Sequence, residues 1–117
     1  TRFAYSDLRV EGGETLEASF AVTNEGARAG AEVAQIYLTD AAGKQCLRLL
    51  GWAKLALEPG ETRGAVVRAD PRLLASYDAA ASGWRIAAGA YEAALGASAT
   101  DLRLTAAAEV RGWVRLP

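Results

Sequence analysis

Ala31-Glu32-Val33-Ala34-Gln35-Ile36-Tyr37-Leu38-Thr39 is the stretch whose reading decides the fold. Ala34, Ile36 and Leu38 stand two apart, so an extended chain points them to one face and Val33, Gln35 and Tyr37 to the other. β-Branched and aromatic side chains suit a pleated surface. The spacing predicts a central β-strand. One face is plainly apolar. A sheet with water on its other side shows a clean polar outer face, and Val33, Gln35 and Tyr37 do not supply one. A partner over that second face is therefore expected too.

Upstream, Phe3 to Val10 reads as an edge-like strand interrupted at Ser6-Asp7. Glu11-Gly12-Gly13-Glu14 is a turn. Thr15 to Thr23 alternates, with Leu16, Ala18, Phe20 and Val22 inward, as a half-buried antiparallel strand does. Asn24-Glu25-Gly26 reads as a turn through residues that tolerate positive φ. Asp40 to Lys44 is a loop.

Downstream, Gln45 to Leu57 is a long strand with a break. Leu47, Leu49, Ala53, Leu55 and Leu57 share one parity. Gly51 shares it without a side chain, which predicts a bulge or a close backbone approach. Leu50 and Trp52 fall on the opposite face. Glu58-Pro59-Gly60-Glu61 carries the signature of a type II turn. Thr62 to Ala69 is the next strand. Asp70-Pro71 fits an N-cap with Pro at the first helical position, making Arg72 to Ser76 one short helical turn. Asp78 reads as a turn residue. Trp84 to Ile86 is a short strand, with Tyr91 to Ala97 as its expected partner. Tyr91, just after Gly89, resembles a tyrosine corner. Leu102 to Val110 alternates as the last strand, and Arg111 to Pro117 is a tail. Seven to eight short strands separated by turns make an all-β antiparallel sandwich.

With 117 residues the chain has the length of one domain. It is 51% hydrophobic, but much of that is alanine, which buries little area, so a thin core is expected. Thirteen basic residues stand against fourteen acidic ones. No basic stripe supports nucleic-acid binding, and no apolar run is long enough to span a bilayer. The N-terminus shows no signal-peptide pattern. Cys46 is the single cysteine and there is no histidine. An internal disulfide, Ser-His-Asp chemistry and ordinary zinc sites are therefore not expected. No phosphate loop or metal-ligand cluster is visible, and no cofactor is expected.

Taken in order, the motifs resemble the fibronectin type III-like domain at the C-terminal end of family 3 glycoside hydrolases, the β-glucosidases and β-xylosidases. Phe3-Ala4-Tyr5-Ser6-Asp7-Leu8 is similar to the family's opening. Val22-Thr23-Asn24-Glu25-Gly26 and then Ala29 to Tyr37 resemble its most recognisable segment. Leu50-Gly51-Trp52, Leu57-Glu58-Pro59-Gly60-Glu61, Gly83-Trp84 and Gly89-Ala90-Tyr91 follow at the family's spacing. The resemblance covers Phe3 to about Val110 and implies an immunoglobulin/fibronectin III-like sandwich. Residues 1–110 are then the domain and 111–117 a C-terminal tail. Gly64-Ala65-Val66-Val67-Arg68-Ala69 departs from the family's Thr-Val-Thr-Phe-Thr-Leu strand, and Ala93 and Ala108 stand where the family has larger inward residues.

The resemblance implies a parent enzyme that hydrolyses β-glycosides with retention, using two carboxylates that lie in other domains. A periplasmic or secreted parent is favoured over a cytoplasmic one. Within this chain Glu14, Glu25, Glu58, Glu61, Asp70, Asp78 and Asp101 sit at turns, strand ends and outer faces, where solvated charges and turn formers are common. No residue is expected to be catalytic. The expected role is a non-catalytic accessory domain whose partners are the catalytic domains of its own chain. Val33, Gln35, Tyr37, Leu50 and Trp52 are the candidate domain-interface residues. The alternative is an autonomous carbohydrate-binding or adhesive sandwich, with Trp52, Trp84 or Trp113 stacking on sugar rings.

Overall fold

The computed structural model describes residues 2–13, 15–70, 74, 76–78, 83–111 and 113–115. They form ten strands and, among the described residues, no helix. The strands are β1 (Phe3–Glu11), β2 (Glu17–Asn24), β3 (Gly30–Ala41), β4 (Lys44–Leu57) and β5 (Thr62–Arg68). They continue with β6 (Ser76–Asp78), β7 (Gly83–Ile86), β8 (Gly89–Ser98), β9 (Asp101–Val110) and β10 (Trp113–Arg115). One sheet has the order β1-β2-β5 and a larger one the order β4-β3-β8-β9. A small third sheet has the order β10-β7-β6. Every pairing is antiparallel. The result is the all-β sandwich that the alternation predicts.

The core lies between the two larger sheets. β3 sends Ala34, Ile36 and Leu38 into it, each at most 1% exposed. β2 answers with Ala18, Phe20 and Val22, and β8 with Tyr91, Ala93 and Leu95. Full burial of an Ile, Leu or Phe side chain stabilises by about 1.5–3 kcal/mol. Ala18, Ala34, Ala69 and Ala93 fill the positions between the larger side chains, so small residues do line the interior.

Local chemistry explains the strand ends. Asp7 takes a positive φ of 57° where the β1–β2 register shifts, at the interruption that Ser6-Asp7 signals. Gly60 has φ 79° and Glu61 N–H donates to Glu58 C=O at 2.9 Å, which is the expected type II turn. Ala42 and Gly43 both take positive φ, 52° and 90°, so β3 and β4 join through a tight two-residue hairpin rather than a loose loop. Asn24 works differently from the expectation. Neither it nor Gly26 takes positive φ. Asn24 is fully buried, and its Nδ2 donates to the carbonyls of Arg28 (2.8 Å) and Leu57 (3.1 Å) while its Oδ1 accepts from Gly26 N–H at 2.8 Å. The side chain, not the backbone, holds the turn.

Four further expectations need correction. Strands β6 and β10, of three residues each, raise the count to ten; pieces that short show no alternation to read. Asp78 ends β6 instead of making a turn, and the tail beyond Arg111 contributes β10, paired with β7. β7 does not pair with β8: it lies between β6 and β10, whereas β8 lies between β3 and β9. The chain changes sheets over Ala87–Gly89, where Gly89 has φ 147° and Tyr91 Oη donates to Ala87 C=O at 2.7 Å. That bond, from a Tyr ring only 1% exposed, is the tyrosine corner. The predicted helical turn, Arg72 to Ser76, lies largely outside the described residues; Leu74 within it is buried in a turn.

Candidate domain interface

The outer face of the four-stranded sheet is assembled by register. Val33 stands opposite Lys54, Gln35 opposite Trp52 and Tyr37 opposite Leu49. On the other side Tyr37 faces Ala94 and Gln35 faces Gly96. Directly opposed residues of antiparallel strands share a face, so Val33, Gln35, Tyr37, Leu49, Trp52 and Lys54 form one surface. Trp52 is 63% exposed, Leu49 37% and Val33 36%. Gln35 and Tyr37 are half-buried, and Tyr37 Oη donates to Gln35 Oε1 at 2.6 Å, which ties the two side chains together.

Leu50 is a correction. It was expected beside Trp52 on this face, but it is only 6% exposed and belongs to the core. The cause is a bulge: Ile36 pairs with Gly51 and Tyr37 with Leu49, leaving Leu50 as the extra residue. The extra residue reverses the parity of what precedes it. Leu50 turns inward, and Leu49, expected inward, turns out. Leu47 is 56% exposed as well. Gly51 also meets the second expectation for it, since a Cβ there would lie 2.6 Å from Val67 Cγ1 across the sandwich. Trp84 and Trp113 lie on β7 and β10, and their side chains are outside the described residues.

A second polar cluster escaped the sequence reading. Arg103 on β9 holds Asp101 through two bonds, at 2.9 and 3.2 Å, and donates to the Phe3 carbonyl at 2.9 Å. Its guanidinium sits 4.7 Å from the centre of the Tyr5 ring. These contacts close the seam between β1 and β9. Burial, and next the neighbouring Glu32 carboxylate, push the Tyr5 hydroxyl pKa far up. That hydroxyl is closed to solvent and Glu32 lies beside it, but no hydrogen bond of sound geometry forms. An open notch of about 520 Å³ runs along this end, lined by Phe3, Tyr5, Glu25, Glu32 and Arg103 among others. No local sequence pattern marks it, because Arg103 and Phe3 are 100 positions apart.

Several of the described carboxylates hold turns and ion pairs. Glu61 is held below its ordinary pKa by the Glu58 N–H and then by Arg63, at 2.9 and 2.7 Å. Asp101 is held below its own by Arg103. Glu25 meets Arg2 at 3.7 Å in solvent. No group of three metal-ligating side chains occurs among the described residues. No described helix is long and apolar enough to cross a membrane. Glu14 and the side chain of Asp78 lie outside the described residues, and so does the helix start that Asp70 was expected to cap.

Residues 32–99 match the model of the fibronectin type III-like domain family. The chain belongs to that family. Relatives of this domain are β-glucosidases. Probable β-glucosidase K of Emericella nidulans is 34% identical over 116 residues, covering 95% of this chain and 14% of the relative. The β-glucosidase of Rhizobium radiobacter is 38% identical over 110 residues, covering 88% of this chain and 13% of the relative. β-Glucosidase 3B from Thermotoga neapolitana, solved in complex with glucose, superimposes with a TM-score of 0.87 at 33% identity. That match covers all of this chain and 17% of the larger one. The fibronectin type III-like domain is thus a small part of each protein it resembles.

Proposed function

We propose that this domain is the non-catalytic C-terminal accessory domain of a family 3 β-glucosidase-like hydrolase, and that it packs on the catalytic domains of its own chain and steadies them. The observation that carries the reading is the outer face of the four-stranded sheet. It presents Trp52, Leu49 and Val33 to solvent around a half-buried Tyr37. Apolar surface gathered on one face marks interaction sites on soluble proteins. The occupant is the remainder of the same polypeptide, because the relatives are about seven times longer than the part this chain matches. In this role the domain supplies none of the reacting groups; Glu61 and Asp101, for instance, are engaged in turn and ion-pair contacts. Retaining hydrolysis needs two carboxylates flanking the scissile bond, and these belong to the rest of the chain.

Deleting residues 1–117 from the full-length protein tests this reading. The truncated protein should inactivate at a lower temperature, and the isolated domain should turn over no aryl β-glucoside. Equal thermal stability with and without the domain contradicts it. One feature favours a second reading, a carbohydrate-binding module: Trp52 exposes its indole on the outer face of the four-stranded sheet. Titration of the full-length protein with glucans and short oligosaccharides separates the two. Saturable binding that vanishes in Trp52→Ala supports sugar binding.

A further inference from the structure

We infer that the surface covering Trp52, on the remainder of the same polypeptide, is apolar and brings a hydrogen-bond acceptor to the side-chain amide of Gln35. This rests on the docking role proposed above and adds what the partner must present. Gln35 on β3 stands directly opposite Trp52 on β4, and side chains so opposed lie about 4.5–5.5 Å apart at Cβ. A partner that covers the indole covers Gln35 with it. Gln35 is already half-buried. Its Oε1 accepts from Tyr37 Oη at 2.6 Å, and among the described residues nothing accepts from its Nε2. Turning the amide round does not alter the balance. The two side chains own three polar hydrogens between them, and one mutual bond uses one of these.

The neighbours on this face cannot take the donors that remain. Trp52 and Lys54 carry only donors, Val33 and Leu49 carry neither donor nor acceptor, and Gly96, opposite Gln35 on β8, has no side chain. Asp40 and Glu92 stand opposite each other at the hairpin end, where each already accepts a bond. Asp40 accepts from Gly43 N–H and Glu92 from the Thr39 hydroxyl, both at 2.8 Å. Covered without an acceptor, the Gln35 amide would lose water and gain nothing, which is penalised like a lost hydrogen bond. The centre of the face is therefore apolar and rich in donors, and its cover must be apolar and supply an oxygen acceptor. The remainder of the polypeptide is the occupant, since the relatives extend far beyond the part this chain matches. A second copy docked through the same residues would set donors against donors. A sugar hydroxyl accepts as well, but Val33 and Leu49, exposed on the same face, call for apolar cover.

The test uses the full-length protein and hydrogen exchange of the β3 and β4 amides around Gln35 and Trp52, with β2 amides as the control that the domain stays folded. Trp52→Ala should lower protection there by about tenfold or more. Gln35→Glu still accepts from Tyr37 but turns a carboxylate toward the partner's acceptor, and should lower protection by about tenfold. Gln35→Met keeps the size of the side chain and removes its donors, and should lower protection by about fivefold. A short β-glucan oligosaccharide added to the wild type should leave protection unchanged. If Trp52→Ala lowers protection while both Gln35 variants leave it intact, the acceptor is refuted and the docking stands. If no variant changes protection, both fall together. If the oligosaccharide raises protection in the wild type, the face is open to sugar and the polypeptide occupant is refuted.

Discussion

The two outer faces of the sandwich are made by the same rule and carry opposite contents. Outside the three-stranded sheet, β2 presents Glu17, Ser19, Ala21 and Thr23, and β5 presents Gly64, Val66 and Arg68. Thr23 and Thr62 pair their hydroxyls at 2.6 Å. These side chains are small or charged, and water satisfies them; Val66, 61% exposed, is a lone apolar residue of an ordinary kind. Outside the four-stranded sheet stand Val33, Tyr37, Leu49 and Trp52. Alternation alone gives any strand two faces. What fills the outward positions separates a face finished by solvent from one that the proposed docking role would cover.

The sharpest way to break this comparison uses two neighbours in β4. Leu50 is inside and Leu49 outside, so Leu50→Ala should lower the unfolding free energy of the domain by about 3 kcal/mol. Leu49→Ala should cost it less than about 1 kcal/mol. Urea denaturation of both variants checks the order, and the reverse order would remove the bulge from the account. Asn24→Ala should cost about 2–3 kcal/mol, because it takes a side-chain partner from the Gly26 N–H and from the Arg28 and Leu57 carbonyls around a buried site. Thr23→Ala, one residue away on the solvent face, should cost about 0.5 kcal/mol in the same measurement.

Tyr91→Phe should cost about 1 kcal/mol, the net value of its bond to Ala87, read as a lower thermal midpoint. Tyr5 sharpens the seam between the sheets. The fold binds its hydroxyl proton more tightly than the unfolded chain does, so the stability this supplies is complete below pH 10 and is lost as pH climbs above it. Tyr5→Phe should flatten that alkaline loss, as followed by urea midpoints between pH 8 and 11. Val66→Thr should change stability by no more than about 0.5 kcal/mol; a larger effect would show that the solvent-finished face is not one.

Where strands alternate over eight or more residues, the sequence is legible. β2, β3 and β9 sit where their period places them, and Pro59-Gly60 and Tyr91 announce their own geometry. The same rule misplaced Leu49 and Leu50, since one inserted residue reverses parity and Gly51 marks only the neighbourhood of the break. The β7–β8 pairing failed for another reason. Closeness in sequence favours pairing, but the tyrosine corner carries the chain from one sheet to another. Asn24 was found for the wrong reason, because turn preference in φ and side-chain bonding select the same residue type. Of the candidate interface, Val33, Gln35, Tyr37 and Trp52 share the one face whose outward residues are incompletely polar. The seam of Arg103, Tyr5 and Phe3 was not, because no local pattern links residues a hundred positions apart.

Determining the structure of the full-length protein tests the central claim most directly, through the surroundings of Trp52. The account predicts that the indole, exposed in the domain alone, is covered there by side chains from outside residues 1–117. An indole still open to solvent, with the four-stranded sheet turned away from the rest of the chain, would contradict it.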